Sequence, residues 1–491
     1  MRVDGLMAKL ESPLPSSLPA GTATAVFCYG TCYHRHAAVA ALELLVDGVR
    51  HRTAATRMPR PDIFRMLHPA GRPSPDDPEL RCYRSGFWGT VPIPARADGD
   101  RVELALAARL ADGAELVAPL GRIEVVASER AASSSDVEPE LIAVCMATFE
   151  PDARLFRAQV ETLRAQTHPR WTCVISDDCS SPDCFAEIRA AVDGDERFVV
   201  SRSERRLGFY RNFERALRLA PREAGLLALC DQDDRWRPEK LAVLRAALGA
   251  AMLAYSDQRL VDAGGRVLRE TMWRGRRNNH TDLASLLVAN SITGAATLFR
   301  REVAELALPF PDTPGLQFHD HWLGLVALAA GDIAYVDRPL YDYVQHPGAV
   351  FGDVSHERER RLRRAPLRAL RGGRGAYFLG YVAREAQARA LLARCDARLT
   401  RAKRRALLRY VAADRSGAAF VWLAVRSLRV LAGRTETLAS ETELVHGIVW
   451  RRLMPVVAAG ARRPGRRPCD ASFPDPLDFE QRRLRRWRAR A

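Results

Sequence analysis

From about residue 140 onward, the chain alternates short apolar runs with segments of helical periodicity, and this alternation constrains its fold more than any other feature. Apolar runs cover residues 141–147 and 171–176, and between them Phe156, Val160 and Leu163 recur at helical spacing. Such alternation is typical of parallel sheets, because the connection between two parallel strands needs a long crossover, usually a helix. The pattern predicts an α/β domain with a mostly parallel sheet.

Polar residues follow the apolar runs at the points where the predicted strands end. These polar clusters lie at residues 148–150, 177–178 and 231–234. In open α/β sheets, ligands bind in the crevice outside the carboxyl ends of the strands. The sequence therefore predicts a binding crevice lined by these clusters.

The most acidic cluster is Asp231-Gln232-Asp233-Asp234, directly after the apolar run 226–230. Carboxylates this close repel one another unless a hard cation lies among them. Mg²⁺ or Mn²⁺ held by one or two carboxylates normally completes its shell with phosphate oxygens, so the cluster indicates a diphosphate substrate. An acidic turn that caps a helix beginning near Pro238 is the alternative interpretation.

Length and charge divide the chain further. A chain of 491 residues is too long for one ordinary core and indicates two to four domains. The net charge is +16, but residues 361–491 hold 31 Lys+Arg against 10 Asp+Glu, which gives +21 there and leaves −5 (16 minus 21) for residues 1–360. Basic helices of this kind suit either an anionic membrane surface or a solvated face packed on another domain.

Composition shifts give five predicted regions. Alternating residues at 102–106 and Asp-Gly turns at 47–48 and 112–113 predict an N-terminal antiparallel sandwich. Small polar residues near 128–136 are typical of a linker. The regions are a disordered N-terminus at 1–21, a β-sandwich accessory domain at 22–127, a linker at 128–139, an α/β domain at 140–355 and a basic helical region at 356–491.

The sequence contains neither a recognisable targeting signal nor a cysteine spacing typical of a zinc site. Residues 1–25 lack a basic start followed by an apolar core, and no run of 18 apolar residues occurs. The ten cysteines are scattered without a common zinc spacing, so we expect reduced core residues. These features predict a cytoplasmic bacterial-type protein.

Taken together, four segments carry a family resemblance. They are residues 147–151, 175–180, 207–213 and 230–236. In these segments the sequence resembles the family 2 glycosyltransferases, which are inverting enzymes of the GT-A fold, and within them the bacterial rhamnosyltransferase-like members. The resemblance covers roughly residues 140–350 and implies a GT-A Rossmann-like domain.

The resemblance also implies roles on the nucleotide side of the crevice. Asp178 would accept hydrogen bonds from a pyrimidine base, since a fixed carboxylate suits ring N–H groups. Thr148 and Glu150 would line the nucleoside pocket, and Asn212 would help hold the nucleotide. The alternative for Asp178 is to cap the helix after residues 180–182.

Further roles follow on the sugar and metal side. Asp231 and Asp233 match the family's Asp-x-Asp motif, with Asp233 expected to contact Mg²⁺ or Mn²⁺ directly and Asp231 to reach the metal or the ribose. Thr293 and Gly294 lie in a segment expected to face the donor sugar. His346 is expected to complete the metal shell or donate to a phosphate.

Asp320, in the segment 319–322, occupies the position of the family's catalytic base. A sugar hydroxyl is a poor nucleophile, so the reaction needs a group that removes its proton. The alternative interpretation is that Asp320 is the N-cap of the helix that follows it.

The predicted function is therefore metal-assisted, inverting sugar transfer from a UDP- or dTDP-sugar to a glycan or lipid-linked acceptor. Such an enzyme of cell-surface polysaccharide synthesis would work at the inner face of the plasma membrane, with the basic C-terminal region as a peripheral contact. One alternative is a nucleotidyltransferase that makes sugar nucleotides, although the glycine-rich phosphate loop expected after the first strand is missing. A basic nucleic-acid-binding protein is another, which leaves the acidic crevice unexplained. A degenerate enzyme domain beside a glycan-binding sandwich is a third.

Overall fold

The computed structural model describes residues 2–12, 14–21, 23–53, 55–68, 75, 77–127, 140–273, 276–313, 315, 317–346 and 373–460. The predicted linker at 128–139 lies outside these residues, as does the predicted boundary between residues 355 and 356. The described residues form an N-terminal pair of sheets, a central α/β domain and a C-terminal group of helices.

The N-terminal part is built from two five-stranded sheets, ordered β1-β2-β4-β8-β7 and β3-β10-β9-β5-β6. Side chains from both sheets share one apolar core. The strands are β1 (Arg2–Val3), β2 (Leu6–Leu10), β3 (Ser17–Pro19), β4 (Thr24–His34), β5 (Val39–Val46), β6 (Val49–Arg52), β7 (Ala55–Met58), β8 (Gly86–Ile93), β9 (Arg101–Leu110) and β10 (Glu115–Val126), with helix α1 (Pro61–Leu67) between β7 and β8.

The predicted Asp-Gly turn between β5 and β6 is confirmed. Asp47 and Gly48 both have positive φ, at 48° and 80°, which is the conformation a tight hairpin turn requires. The predicted disorder at 1–21 is wrong for most of that segment. Strand β2 pairs with β4, and Leu6 and Ala8 point into the core on alternate positions. The alternating apolar pattern extends over only three apolar residues there, which is too short to distinguish a strand from a polar terminus.

The central domain carries a nine-stranded sheet in the order β13-β12-β11-β14-β18-β16-β19-β15, with β17 beside β16. Strands β13, β12, β11 and β14 run parallel, β18 is antiparallel to β14, and β16 and β19 are parallel to each other. The strands are β11 (Ile142–Thr148), β12 (Trp171–Asp177), β13 (Phe198–Arg202), β14 (Leu226–Cys230), β15 (Arg235–Trp236), β16 (Leu253–Asp262), β17 (Val267–Arg269), β18 (Thr297–Arg300) and β19 (Ile333–Gln345).

Helices connect these strands as the alternation predicts. Helix α2 begins after Asp152, whose carboxylate caps it by accepting from the N–H groups of Arg154 and Leu155. Its predicted apolar positions, at residues 156, 160 and 163, are all buried against the sheet. The helices are α2 (Ala153–Arg164), α3 (Pro182–Val192), α4 (Phe209–Leu219), α5 (Lys240–Leu248), α6 (Leu283–Val288), α7 (Arg301–Ala307) and α8 (His319–Ala330).

The C-terminal helices pack against both other parts of the molecule. Phe378 contacts Trp88 of the N-terminal sheets with 4.5 Å between ring centroids. Arg394 donates to the Thr24 hydroxyl and, at 2.6 Å, to the Pro309 carbonyl of the central domain. The helices are a π-helical stretch Ala376–Val382, then α9 (Ala383–Cys395), α10 (Arg401–Ala412), α11 (Gly417–Ser427) and α12 (Ser440–Gly460), with 3₁₀ turns at Asp396–Arg398 and Leu428–Ala432.

Two further expectations concern cysteines and membrane spans. The nine cysteines within the described ranges are all free thiols, and only Cys179 and Cys184 are not buried. No helix in the part of the chain that the structure describes combines the length and apolar character needed to cross a bilayer.

Candidate active site

The carboxyl ends of three parallel strands meet at one edge of the central sheet. The register places Thr148 of β11 opposite Asp177 of β12, and Met146 of β11 opposite Cys230 of β14. The acidic loop that follows Cys230 therefore lies beside the loop that follows Thr148. This is the crevice that the polar clusters predict.

The acidic loop is fastened to the neighbouring strand end by Gln232. Its amide oxygen accepts from the Phe149 N–H at 2.8 Å, and its amide nitrogen donates to the Phe149 carbonyl at 3.3 Å. A paired amide between two aspartates holds both carboxylates at fixed positions along the crevice. The amide is also neutral, so it does not add to the repulsion between Asp231 and Asp233.

Asp231 and Asp233 lie close together in the loop. Burial, followed by the nearby charges of Asp233 and Asp320, raises the pKa of Asp231 to about 7. Asp233 is paired with His346, whose Nε2 lies 2.8 Å from the Asp233 carboxylate. This hydrogen bond raises the pKa of His346 above its ordinary value, which favours the protonated imidazole beside Asp233.

Asp234 points away from the crevice into the core. It is fully buried, and one carboxylate oxygen accepts from the Val344 N–H at 3.3 Å. The other oxygen has no hydrogen-bond partner among the described residues. Burial, followed by the charges of Asp231 and Asp233, raises the pKa of Asp234 well above its ordinary value. The third carboxylate of the cluster is therefore buried in the core, where the neutral form of the acid is favoured.

Lys240 lies buried beneath the same loop. Its ammonium group is 3.0 Å from the centroid of the Trp236 ring and donates to the Ala295 carbonyl. Burial lowers the pKa of Lys240 well below its ordinary value, and the charges of Cys230 and Asp234 oppose that shift. The loop thus combines three carboxylates with one internal amine, an arrangement that the spacing of the motif does not reveal.

Asp320 lies in the first turn of α8, which begins at His319 after the cap residue Phe318. The alternative role of Asp320 as N-cap is therefore wrong. Its carboxylate accepts from the Asn290 amide at 3.1 Å and from the Gly294 N–H at 3.3 Å. Burial raises the pKa of Asp320 to about 7, although these hydrogen bonds lower it.

The distant acids converge as the sequence predicts. The Asp231 carboxylate interacts electrostatically with both Asp233 and Asp320. Tyr343 on β19 lies near all of these acids. Burial, followed by the charges of four carboxylates, raises the pKa of its hydroxyl well above its ordinary value. The four carboxylates are those of Asp234, Asp231, Asp233 and Asp320.

Residues expected on the nucleotide side lie at this edge but already have protein partners. The Asp178 carboxylate accepts from the N–H groups of Leu207 at 2.6 Å and Gly208 at 2.8 Å, and so anchors the loop that enters α4. Its neighbour Asp177 accepts from the Ser180 N–H at 3.0 Å, just before α3, whose N-cap residue is Ser181. Contact between Asp178 and a base stays a prediction, because each oxygen keeps a second lone pair.

Asn212 and Thr148 connect the helix to the strand ends. Both amide hydrogens of Asn212 are used, by the Thr148 carbonyl at 3.2 Å and the Ser176 carbonyl at 2.8 Å. The Thr148 hydroxyl donates to Asp177 at 3.2 Å. Both side chains are buried. These contacts are all within the protein, and the expected roles of Thr148 in lining the nucleoside pocket and of Asn212 in holding the nucleotide stay predictions.

Glu150 and Gly294 also make close contacts within the protein. The Glu150 carboxylate accepts from the N–H of Ser181, the N-cap residue of α3, at 2.5 Å, and this contact lowers its pKa. The expected place of Glu150 in the nucleoside pocket stays a prediction. A Cβ atom on Gly294 would come within 2.8 Å of the His319 ring and 3.4 Å of the Asp320 Cβ. Gly294 is therefore required for close packing against α8, whereas its expected approach to a sugar stays a prediction, as does the expected donor contact of Thr293.

The sequence did not indicate the roles of four residues of the site: Gln232, Lys240, Asn290 and Tyr343. Each lies within a segment that the motifs single out, or next to one, but its partner lies far away in the chain. Asn290, for example, is 30 residues from the Asp320 carboxylate it contacts. The only signal in the sequence is that amide and aromatic side chains interrupt otherwise apolar or acidic runs.

This geometry defines a class of protein: an α/β domain of the GT-A type with an acidic site at the carboxyl ends of its parallel strands. Residues 143–306 match the model of the family described as Glycosyl transferase family 2. The match covers a third of the chain and includes the acidic loop. Over these residues the central domain is therefore similar to family 2 glycosyltransferases.

Other similarities are weaker. An uncharacterized protein of Sinorhizobium fredii, y4gI, is 28% identical over 129 residues, which are 26% of this chain and 14% of that protein. Residues 1–349 of S. aureus TarS, solved with UDP-GlcNAc, are 14% identical with a TM-score of 0.40, over 65% of this chain and 92% of that one. The mannosyltransferase PcManGT of Pyrobaculum calidifontis, solved with GDP-Man and Mn²⁺, is 19% identical with a TM-score of 0.34, over 65% and 90%.

Proposed function

We propose that the chain is an inverting glycosyltransferase that moves a sugar from a nucleoside-diphosphate donor to a hydroxyl of a glycan or lipid-linked acceptor. The observation that carries the proposal is the placement of Asp320. Its partly buried carboxylate, with a pKa raised to about 7, lies close enough to Asp231 for their charges to interact. A candidate base and a candidate diphosphate anchor thus share one crevice, as direct displacement requires.

In the proposed reaction, Asp320 removes the proton of the acceptor hydroxyl while the hydroxyl oxygen attacks the anomeric carbon of the donor. The bond from that carbon to the diphosphate oxygen breaks, and the configuration at the carbon inverts. A base with a pKa near neutral pH is suited to this step, since it is partly ionised and still strong enough to accept a proton. Asn290 and Gly294 hold the carboxylate in place through their hydrogen bonds.

Asp231 and Asp233 fit a divalent cation. Their oxygens are the hard ligands that Mg²⁺ and Mn²⁺ take, and their mutual repulsion, which raises the pKa of the buried Asp231, favours a positive charge between them. The His346 imidazole lies beside this pair through its hydrogen bond to Asp233. A bound ion would neutralise charge on the departing diphosphate. With the ion bound, His346 would contact the ion or a phosphate oxygen.

The donor class is tested directly by screening nucleotide sugars with the purified chain. We expect Mn²⁺- or Mg²⁺-dependent hydrolysis or transfer with a UDP- or dTDP-sugar, and dTDP-rhamnose is the donor that the subgroup resemblance favours. The measurement is release of the nucleoside diphosphate, with and without EDTA. Release of pyrophosphate from a nucleoside triphosphate and a sugar phosphate would instead identify a nucleotidyltransferase and overturn the proposal.

The C-terminal helices carry a surface suited to an anionic membrane, which would place the enzyme at the inner face of the plasma membrane. Four apolar side chains recur on one exposed face, at 58%, 60%, 58% and 82% exposure. This apolar stripe consists of Val421, Val425, Leu428 and Leu431. The neighbouring helix α10 exposes four arginines, at positions 401, 404, 405 and 409. An apolar stripe beside a basic face matches the acyl boundary and the charged headgroups of such a membrane.

Vesicle binding tests this surface. We expect Val421→Asp/Val425→Asp to weaken co-sedimentation with phosphatidylserine-containing vesicles at least about tenfold, because two charges replace buried apolar contact in the bilayer. The matched control is Val49→Asp/Val199→Asp, which changes two exposed valines elsewhere in the chain and should bind like the wild type. Equal vesicle binding by both double variants would show that the apolar stripe does not take part in membrane binding.

A further inference from the structure

The segment between β7 and β8 buries polar side chains, whereas a short insertion between two strands normally buries apolar ones. Among the described residues of 62–84, the buried side chains are His68, Asp77 and Cys82, with exposures of 3%, 0% and 0%. The apolar residues Ile63 and Phe64 remain partly exposed. Small structures without an apolar core commonly rely on a metal or a disulfide instead.

The three buried groups face one another. His68 Nε2 lies 3.0 Å from Asp77 Oδ2, and one potential ligand atom from each of His68, Asp77 and Cys82 lies within 4.8 Å of the other two. The Asp77 carboxylate is oriented by the backbone, because it accepts from the N–H groups of Arg81 at 2.8 Å and Cys82 at 3.0 Å. His68 and Cys82 thus come from opposite ends of this segment, and both lie beside the Asp77 carboxylate, which its backbone hydrogen bonds hold in place.

We propose that His68, Asp77 and Cys82 form a binding site for a zinc-class divalent ion in the N-terminal sheets. Imidazole nitrogen, thiolate sulfur and carboxylate oxygen are the ligands that Zn²⁺ takes, at roughly 2.0–2.3 Å. Ligand atoms around one such ion are separated by roughly 3–4 Å, which agrees with the spacing of these three groups. Three protein ligands leave a fourth position in the tetrahedron for water or another donor.

Binding replaces protons with the ion in a balanced exchange. The Cys82 thiol loses its proton to solvent and gives a thiolate, while neutral His68 carries its single proton on Nδ1 and offers the Nε2 lone pair. The Asp77 carboxylate supplies the second negative charge, so the ion and its ligands have no net charge. A neutral assembly is the form that a buried site without other counter-ions tolerates.

The site would connect helix α1 to the 3₁₀ turn Arg81–Arg84. Metal ligation closes the chain between two such elements and stabilises the segment against local opening. The site is independent of the acidic crevice, whose ligands are oxygen atoms and an imidazole. Only a thiolate-containing site produces sulfur-to-metal charge transfer, so the two can be distinguished by spectroscopy.

Cobalt absorption on the full-length chain tests the proposal. After EDTA treatment and removal of the chelator, one equivalent of Co²⁺ should produce a near-ultraviolet thiolate-to-cobalt band with release of one proton per ion, and Zn²⁺ should then abolish the band by displacing Co²⁺. Cys82→Ser should lose the band and bind Zn²⁺ at least about 100-fold more weakly, because a hydroxyl is a poor zinc ligand but still hydrogen-bonds to Asp77.

The matched control is Cys179→Ser/Cys184→Ser, which removes the two thiols that are not buried and should keep the full band. If Cys82→Ser does not fold, the Co²⁺ titration of the wild-type chain still tests the proposed site. Absence of a thiolate band in the wild-type chain, or its loss in the control double variant, would overturn the site.

Discussion

Replacing Asp320 with asparagine is expected to abolish sugar transfer while leaving donor binding nearly unchanged. The variant keeps the shape of the side chain and one oxygen that can accept from Gly294 or Asn290, but it cannot take a proton from the acceptor. The loss of a general base lowers kcat by on the order of 10²–10⁴-fold. The measurement pairs transfer rates with donor affinity from calorimetry, each in saturating Mn²⁺.

Two companion variants sharpen this experiment. Asn290→Ala removes a donor that holds the carboxylate at 3.1 Å and should reduce kcat by a smaller factor, since the base is still present but less well placed. Asp337→Asn removes an exposed carboxylate outside the crevice and should leave both readouts unchanged. Loss of donor affinity in Asp320→Asn would instead show that Asp320 belongs to the binding of the diphosphate.

Asp320 also makes a prediction about stability that does not depend on catalysis. Its pKa rises from an ordinary value of 3.8 to about 7 in the folded chain, so the folded state resists ionising this group. Stability is therefore lost as the pH rises from about 4 through 7, and the loss is complete above about 7. Asparagine does not ionise, so we expect Asp320→Asn to gain stability relative to the wild type across this window.

Denaturant unfolding of the metal-free protein at about pH 5 and about pH 8 measures this difference. The change in relative stability between the two conditions should be on the order of a few kcal/mol, given about 1.4 kcal/mol per pKa unit. Equal differences at both conditions would mean that the Asp320 carboxylate is not buried from solvent in the folded chain.

The crevice could be predicted from the sequence because its signals are local. Apolar runs mark β11 and β12, polar residues mark their carboxyl ends, and parallel strands place those ends at one edge. The convergence of Asp231 and Asp320 follows from the same logic together with the family resemblance. Local patterns were sufficient wherever a residue's role depended on its own strand or helix.

The partners of buried polar groups could not be predicted in this way. Asp178 and Asn212 resemble ligand-binding residues by position, yet their side chains satisfy backbone groups of loops and strands that lie 29 to 64 residues away. A buried N–H or C=O needs a partner, and only the three-dimensional arrangement decides which side chain provides it. Lys240 is a similar case, since nothing in its helix indicates that a lysine would be fully buried.

Replacing Asp233 with asparagine is expected to separate the cation site from the base. In the metal-free protein, the Asp233 carboxylate is paired with His346 at 2.8 Å and lies beside the Asp231 carboxylate. Asparagine keeps the size of the side chain but removes the charge that would hold Mn²⁺. We expect Mn²⁺ affinity, measured by the loss of the free-ion electron paramagnetic resonance signal, to fall by on the order of 10²–10³-fold, or roughly 3–4 kcal/mol.

Asp234→Asn is the matched control, one residue along the same loop. The Asp234 carboxyl is fully buried, its pKa is raised well above the ordinary value, and one oxygen has no partner among the described residues. An amide therefore replaces a buried carboxyl that is turned into the core, and Mn²⁺ affinity should stay within a few-fold of the wild type. Because the two variants differ by one position and share the same chemistry, a general loss of folding would affect both. Equal loss of Mn²⁺ affinity in both, or unchanged affinity in Asp233→Asn, would show that the ion is held elsewhere.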